Sequence, residues 1–202
     1  TGVTRNDYLK DASKYQKITH YPQSFQIGRK DLMYKNIVRL KRIYANEFNF
    51  CPKTYILPDD YRQFTTDREF ENYRSMYIMK PAALSCGKGI KVIAGKTEVK
   101  KKPGYVISQY LSNPYLINGF KFDLRIYCLV TSYDPLKVYI FKEGLVRFAT
   151  QKYTNNTKLV DKQYIHLTNY SVNKKNEEYI KSNGGAQADE DDGESASKWN
   201  LA

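Results

Sequence analysis

The hydrophobic period of this chain changes once, near residue 76, and that change restricts the fold more than any other feature. From Met33 the apolar positions Met33, Ile37, Leu40 and Tyr44 recur at steps of four, three and four. That spacing puts them on one face of a helix over about 30–46, with Lys35, Arg39, Lys41 and Arg42 on the other face. Cys51 to Leu57 reads as a short strand ended by Pro58, after which Asp59 or Asp60 is placed to cap a helix running to about Arg74. This first part is an α/β alternation. Beyond it the helical period disappears, and short apolar runs bounded by turn residues take its place: Met76 to Met79 closing on Lys80-Pro81, Ile90 to Ala94, and Tyr105 to Leu111. Leu124 to Thr131, Val138 to Phe141 and Leu145 to Phe148, with Asp134-Pro135 and Glu143-Gly144 at the turns, predict a three-stranded antiparallel meander.

With 202 residues the chain is long enough for one domain or two small lobes, and 41% hydrophobic residues suffice for a core. No apolar run approaches the ~20 residues that cross a bilayer, and no basic-then-apolar leader opens the chain, so membrane spanning and Sec-type secretion are not expected. The first residue is Thr1, and the chain is expected to begin inside a longer polypeptide. Residues 1–20 read as a linker or partial segment, and 177–202 as a disordered acidic insertion with Trp199 starting a further element. The net charge of +12 is uneven: residues 184–202 carry −4, which leaves +16 for residues 1–183. Such a field attracts anionic partners without naming them, and a dispersed solvated basic surface produces it equally well. Cys51, Cys86 and Cys128 are odd in number and lack metal-ligand spacing, which fits a reduced cytosolic setting. Cys128 lies in an apolar string and is expected to be a small buried side chain.

Three segments carry polar residues suited to chemistry. In Ser85-Cys86-Gly87-Lys88-Gly89 the glycines let backbone N–H groups approach an anion while Lys88 supplies charge, and Lys80 at the end of the preceding strand adds a second cation. The loop lacks Walker spacing, and an ordinary hairpin turn is the alternative reading. Alternation places Lys121, Asp123 and Arg125 on one strand face, where Arg147 is expected to meet Arg125 across the sheet with an anion between them. A surface ladder of ion pairs explains the same pattern. His166-Leu167-Thr168-Asn169 supplies an imidazole, a hydroxyl and an amide, although a lone histidine is more often structural. No carboxylate pair or Ser/His/Asp frame supports a classical hydrolase.

Five strings in order are similar to the tubulin tyrosine ligase-like family: Lys80-Pro81 with Ser85 to Ile90, Leu116-Ile117 with Lys121 to Arg125, Leu129 to Leu136, Gly144 to Ala149, and His166 to Ser171. The resemblance covers about Tyr21 to Asn176, and Thr131 to Leu136 with Tyr170 to Lys174 looks most like the glutamylase branch. It implies an α+β, ATP-grasp-like fold of two lobes with mostly antiparallel sheets, a partial N-terminal and central lobe over 21–112 and a partial C-terminal lobe over 113–176. It also implies ATP-dependent addition of glutamate to glutamate side chains in the acidic C-terminal tails of tubulin, through an acylphosphate, at microtubules. By the same resemblance Lys80 and Lys88 hold ATP phosphates, Gln109 and Tyr110 lie at the adenine, and Lys121, Asp123 and Thr168 bind the nucleoside end. Arg125 and Arg147 face the reacting carboxylate and phosphate, with His166 and Asn169 near the catalytic centre.

The family binds Mg²⁺ through an Asp and a Glu-x-Asn pair, and no Glu-x-Asn follows Asn169 here. Those ligands are expected beyond residue 202, and the 202 residues are expected to be inactive as an isolated ligase. Two other readings stand beside the ligase: a non-catalytic microtubule-binding module, and a basic nucleic-acid binder. The second would need aromatics interleaved with basic residues on one open face, whereas the tyrosines are spread through every element.

Overall fold

The computed structural model describes residues 13–16, 19–181 and 197–201. Contacts divide the chain into two units, Thr1–Leu84 with Lys96–Tyr110, and Ser85–Gly95 with Leu111–Ala202. The expectation of disorder over 177–202 falls mostly outside the described residues, as does most of 1–20.

The first unit holds α1 (Phe25–Gly28), α2 (Lys30–Tyr44), a 3₁₀ turn at Ala45–Phe48, β1 (Thr54–Leu57), α3 (Tyr61–Phe70), β2 (Tyr77–Pro81) and, after β3 (Lys91–Ile93) in chain order, β4 (Tyr105–Gln109). Both β1 and β2 pair antiparallel with β4, so Thr54–Leu57 and Tyr77–Pro81 run either side of it. One sheet face carries Tyr55 and Tyr77, which meet Phe64 of α3 in edge-on contacts at centroid distances of 5.3 and 5.2 Å. Phe64 is wholly buried there. The other face buries Ile56, Ala82 and Val106 under Tyr34 of α2.

Two helical details differ from the sequence expectation. Helix α2 buries none of its residues fully, and Met33 and Tyr44 are exposed. Tyr34 covers the core instead, because its hydroxyl can also accept the Thr54 amide of β1 at 3.1 Å. Helix α3 stops at Phe70, since Asn72 and Tyr73 take φ of 49° and 56° and turn the chain out of the right-handed region. Asp60 occupies its N-cap position, but the carboxylate accepts the Ile56 amide at 2.8 Å rather than an amide of the helix.

The second unit holds β3 (Lys91–Ile93), β5 (Leu116–Ile117), β6 (Phe120–Tyr133), β7 (Leu136–Phe148), a 3₁₀ turn at Thr157–Leu159, α4 (Gln163–His166), α5 (Tyr170–Asn173) and β8 (Lys198–Asn200). Strands β5 to β8 form an antiparallel sheet in chain order. The expected three-stranded meander is one long hairpin, β6 and β7, closed at Asp134-Pro135. Glu143-Gly144 reads as a turn in sequence but lies inside β7. A Cβ at Gly144 would fall 2.8 Å from the Arg125 carbonyl, so the glycine marks a close approach of two strands. Cys128 is exposed rather than buried, because the outer half of this hairpin leaves apolar residues open on both faces. Trp199 sits in β8 opposite Val146, its ring 4.6 Å from that of Phe148.

Phe64→Ala is expected to lower the stability of the first unit by about 3–5 kcal/mol through an unfilled core, whereas Phe70→Ala, on the exposed end of the same helix, should change it by less than about 0.5 kcal/mol. Urea unfolding followed by far-ultraviolet dichroism distinguishes the two.

Candidate functional site

Each candidate residue belongs to one unit, and the first contributes Lys80, Gln109 and Tyr110. Lys80 sits near the end of β2, opposite Val106 and on the sheet face that α2 covers. Its ammonium is held below the ordinary lysine range by burial first and then by the neighbouring Lys30 ammonium. Among the described residues no carboxylate pairs with it. Lys30 was not singled out by sequence. Its ammonium donates to the carbonyls of Pro81 at 3.1 Å and Leu84 at 2.6 Å, and so fixes the chain immediately after Lys80. Gln109 and Tyr110 end β4, with Gln109 exposed and Tyr110 buried. Their amides donate to Lys53 and Met76 carbonyls.

In the second unit alternation does what the sequence required, and Lys121, Asp123 and Arg125 share one face of β6. The partner across the sheet differs. Register pairs Arg147 with Asp123, and Arg125 with Leu145. The expected meeting of two arginines is therefore replaced by an ion pair, in a register set by irregularities of the β6/β7 hairpin between Ile126 and Cys128 and again between Val130 and Ser132. Arg147 binds Asp123 through two donors, Nε at 2.7 Å to Oδ1 and an Nη at 2.9 Å to Oδ2. Thr168 donates its hydroxyl to the same Oδ2. One carboxylate thus ties β6, β7 and the segment entering α5. Arg125 is exposed, has no carboxylate partner among the described residues, and lies over the Tyr127 ring at 5.5 Å.

Lys121 lies 6.0 Å from the centre of the Tyr153 ring, which in turn meets His166 edge-on at 6.0 Å. His166 is buried, and its Nε2–H donates to the Leu159 carbonyl at 3.3 Å. Burial, opposed by that bond and reinforced by Lys121, keeps the imidazole below its ordinary pKa. The shift favours the uncharged imidazole.

Lys88 follows Gly87 in a loop docked on the start of α5. Ser171 Oγ donates to the Cys86 carbonyl at 2.6 Å, and Gly87, at φ +73°, leaves room for no side chain. A Cβ there would lie 2.7 Å from Val172 Cγ2 and 3.1 Å from Asn169 Oδ1. The loop therefore brings Lys88 to the segment that carries Thr168 and Asn169, which a free hairpin turn would not do. Asn169 is the N-cap residue of α5 without a side-chain cap bond.

Sequence reasoning passed over Asn173. It is almost fully buried and satisfied on both ends: its Oδ1 accepts the Thr150 amide and hydroxyl, while Nδ2 donates to the carbonyls of Leu167 at 2.7 Å and Asn169 at 3.1 Å. It holds the backbone on either side of Thr168. A buried asparagine leaves no trace in hydrophobic periodicity, so only the structure reveals it. Among the described residues no grouping of three or more His, Cys, Asp or Glu side chains suits a metal ion.

A profile of the tubulin-tyrosine ligase family matches residues 8–200. Curated relatives include mouse "Tubulin polyglutamylase TTLL5", 42% identical over 85% of this chain and 13% of its own length. Human "Tubulin monoglutamylase TTLL4" is 47% identical over 85% of this chain and 14% of its own. Zebrafish "Tubulin polyglutamylase ttll6" is 39% identical over 87% of this chain and 22% of its own. The chain thus spans less than a quarter of the length of each.

The lowered pKa of His166 has a testable consequence. The folded chain binds fewer protons than the unfolded chain from the lowered pKa up to the ordinary value of 6.5. Stability therefore rises with pH across that window and falls as pH drops below 6.5. Denaturant midpoints measured through the window should show this slope, and His166→Gln should reduce it. An unchanged slope would mean that His166 titrates alike in both states.

Proposed function

The chain belongs to the tubulin-tyrosine ligase family, and from that premise we propose that it carries part of the site of an ATP-dependent ligase that adds glutamate to glutamate side chains in tubulin tails, at microtubules. The observation that carries this reading is the Asp123 carboxylate, shared by Arg147 and Thr168 on a face that also bears Lys121 and Arg125. A guanidinium clamped by two bonds cannot swing, and its remaining N–H donors keep a fixed direction. A preset array of donors is what a reaction between anions requires.

In the proposed reaction an oxygen of the acceptor carboxylate attacks the γ-phosphorus of ATP, the bond to the β,γ-bridging oxygen breaks, and ADP leaves. The amine of free glutamate then adds to the acyl carbon, loses a proton, and phosphate departs as the amide forms. Both steps bring negative charge together, so positioning and charge neutralisation carry most of the catalysis. Lys80 and Lys88 have the proposed role of phosphate cations, Gln109 and Tyr110 that of adenine neighbours, and Lys121, Asp123 and Thr168 that of nucleoside contacts. Arg125, free of carboxylate partners among the described residues, is the proposed contact for a substrate carboxylate, with Arg147 turned toward phosphate. His166 and Asn169 complete the proposed centre, His166 by holding the 159–166 turn in place. Among the described residues no grouping suits Mg²⁺, and what these residues supply toward neutralisation is lysine and arginine.

Titration with a non-hydrolysable ATP analogue tests the nucleotide part. Lys80→Ala and Asp123→Ala should each weaken binding by about 10-fold or more, the loss expected of one charge-assisted contact. Incorporation of labelled glutamate into tubulin, assayed in a longer protein that carries these residues, should need ATP and disappear in Arg147→Ala. Co-sedimentation with microtubules that ignores nucleotide, without incorporation, would replace the ligase by a binding module.

A further inference from the structure

A groove on the first unit, lined by none of the candidate site residues, has a lining of the wrong character for a merely solvated surface. Its volume is about 250 Å³. Tyr34 and Val38 of α2 and Ile56 of β1 form an apolar floor, Lys35, Arg39 and Arg42 stand along the helix wall, and Asp59 and Asp60 along the opposite wall. The acidic wall is already engaged. Asp60 accepts the Ile56 amide at 2.8 Å, and Asp59 lies 3.9 Å from Lys35 in an open pair that contributes little. Arg39 and Arg42 are exposed and have no carboxylate partner among the described residues. Neither guanidinium has a carboxylate within ion-pair distance among the described residues, and three cations against two carboxylates around the apolar floor leave this helix face open to added carboxylates.

We propose that this groove docks an extended acidic peptide segment, with Arg39 and Arg42 each binding one carboxylate and the apolar floor receiving the side-chain methylenes. The geometry selects the occupant. Residues three apart on a helix hold their Cβ atoms about 5–6 Å apart. In an extended peptide the side chains at i and i+2 leave the same side, about 7 Å apart, which long guanidinium side chains span. Glutamates at alternate positions fit this pair, and a bidentate arginine contact favours carboxylates over weaker acceptors. The proposal rests on the acidic-tail reading of the substrate. It adds a second contact for the tail, remote in sequence from the strand residues to which the chemistry is assigned, so that the peptide is held at one place and modified at another.

The test is fluorescence anisotropy of a labelled decapeptide with glutamate at alternate positions, titrated with the 202-residue chain at low and at moderate salt. The double variant Arg39→Gln/Arg42→Gln should bind at least about 10-fold more weakly and lose much of its salt dependence, while its affinity for a non-hydrolysable ATP analogue stays unchanged. Lys100→Gln/Lys101→Gln, which removes two exposed charges of the same unit, serves as the control for diffuse attraction. Equal losses in the two double variants would overturn the groove. So would single-stranded RNA of matched charge displacing the peptide more effectively than unlabelled peptide does. Failure of ATP-analogue binding in the parent chain with peptide binding intact would instead count against the ligase reading and leave the groove standing. Dichroism of each variant establishes that it is folded.

Discussion

The second unit is organised around the Asp123 carboxylate. Strand β6 supplies it, β7 supplies the guanidinium that fills its two oxygens, and the segment before α5 supplies a hydroxyl to one of them. Three pieces of chain far apart in sequence thereby share one anion. Asn173 completes the arrangement from below by taking the carbonyls that flank Thr168 and the backbone of Thr150, which follows β7. Both groups are satisfied, which is the condition under which partly buried polar networks specify one arrangement rather than loosen the core.

Electrostatics in the first unit work in the opposite sense. Lys80 and Lys30 are kept near each other without a carboxylate between them among the described residues, and the Lys80 ammonium is correspondingly easier to deprotonate. Hydrogen bonds from Lys30 to two backbone carbonyls hold that proximity in place. Burial is the larger cause of that shift and the Lys30 ammonium the smaller, and on the proposed reading an arriving polyphosphate would offset the second. The aromatic trio Tyr55, Phe64 and Tyr77 on the far face of the sheet supplies the packing against which this is maintained.

What the sequence made legible followed from periodicity. The α2 helix shows in its three-and-four spacing, the short strands in their bounding turns, and the shared face of Lys121, Asp123 and Arg125 in simple alternation. What it hid depended on register. Arg147 could not be matched to Asp123 by counting from Asp134-Pro135, because two bulges intervene. Gly144 carried a turn signal that a close backbone approach produces equally well. Cys128 was expected inside because its neighbours are apolar, yet a hairpin open on both faces has no inside at that point. Lys30 and Asn173 act through backbone carbonyls, and no residue pattern announces that.

Gly87 couples two stretches of chain that would otherwise vary separately. Its α-carbon rests against Val172 and Asn169 with space for a hydrogen and nothing larger, while Ser171 grips the preceding carbonyl. The reach of the Lys88 ammonium is therefore measured from a helix encoded some eighty residues downstream. An insertion in either stretch would misplace the cation unless the other changed in step, so the two should drift through evolution as a single unit of inheritance.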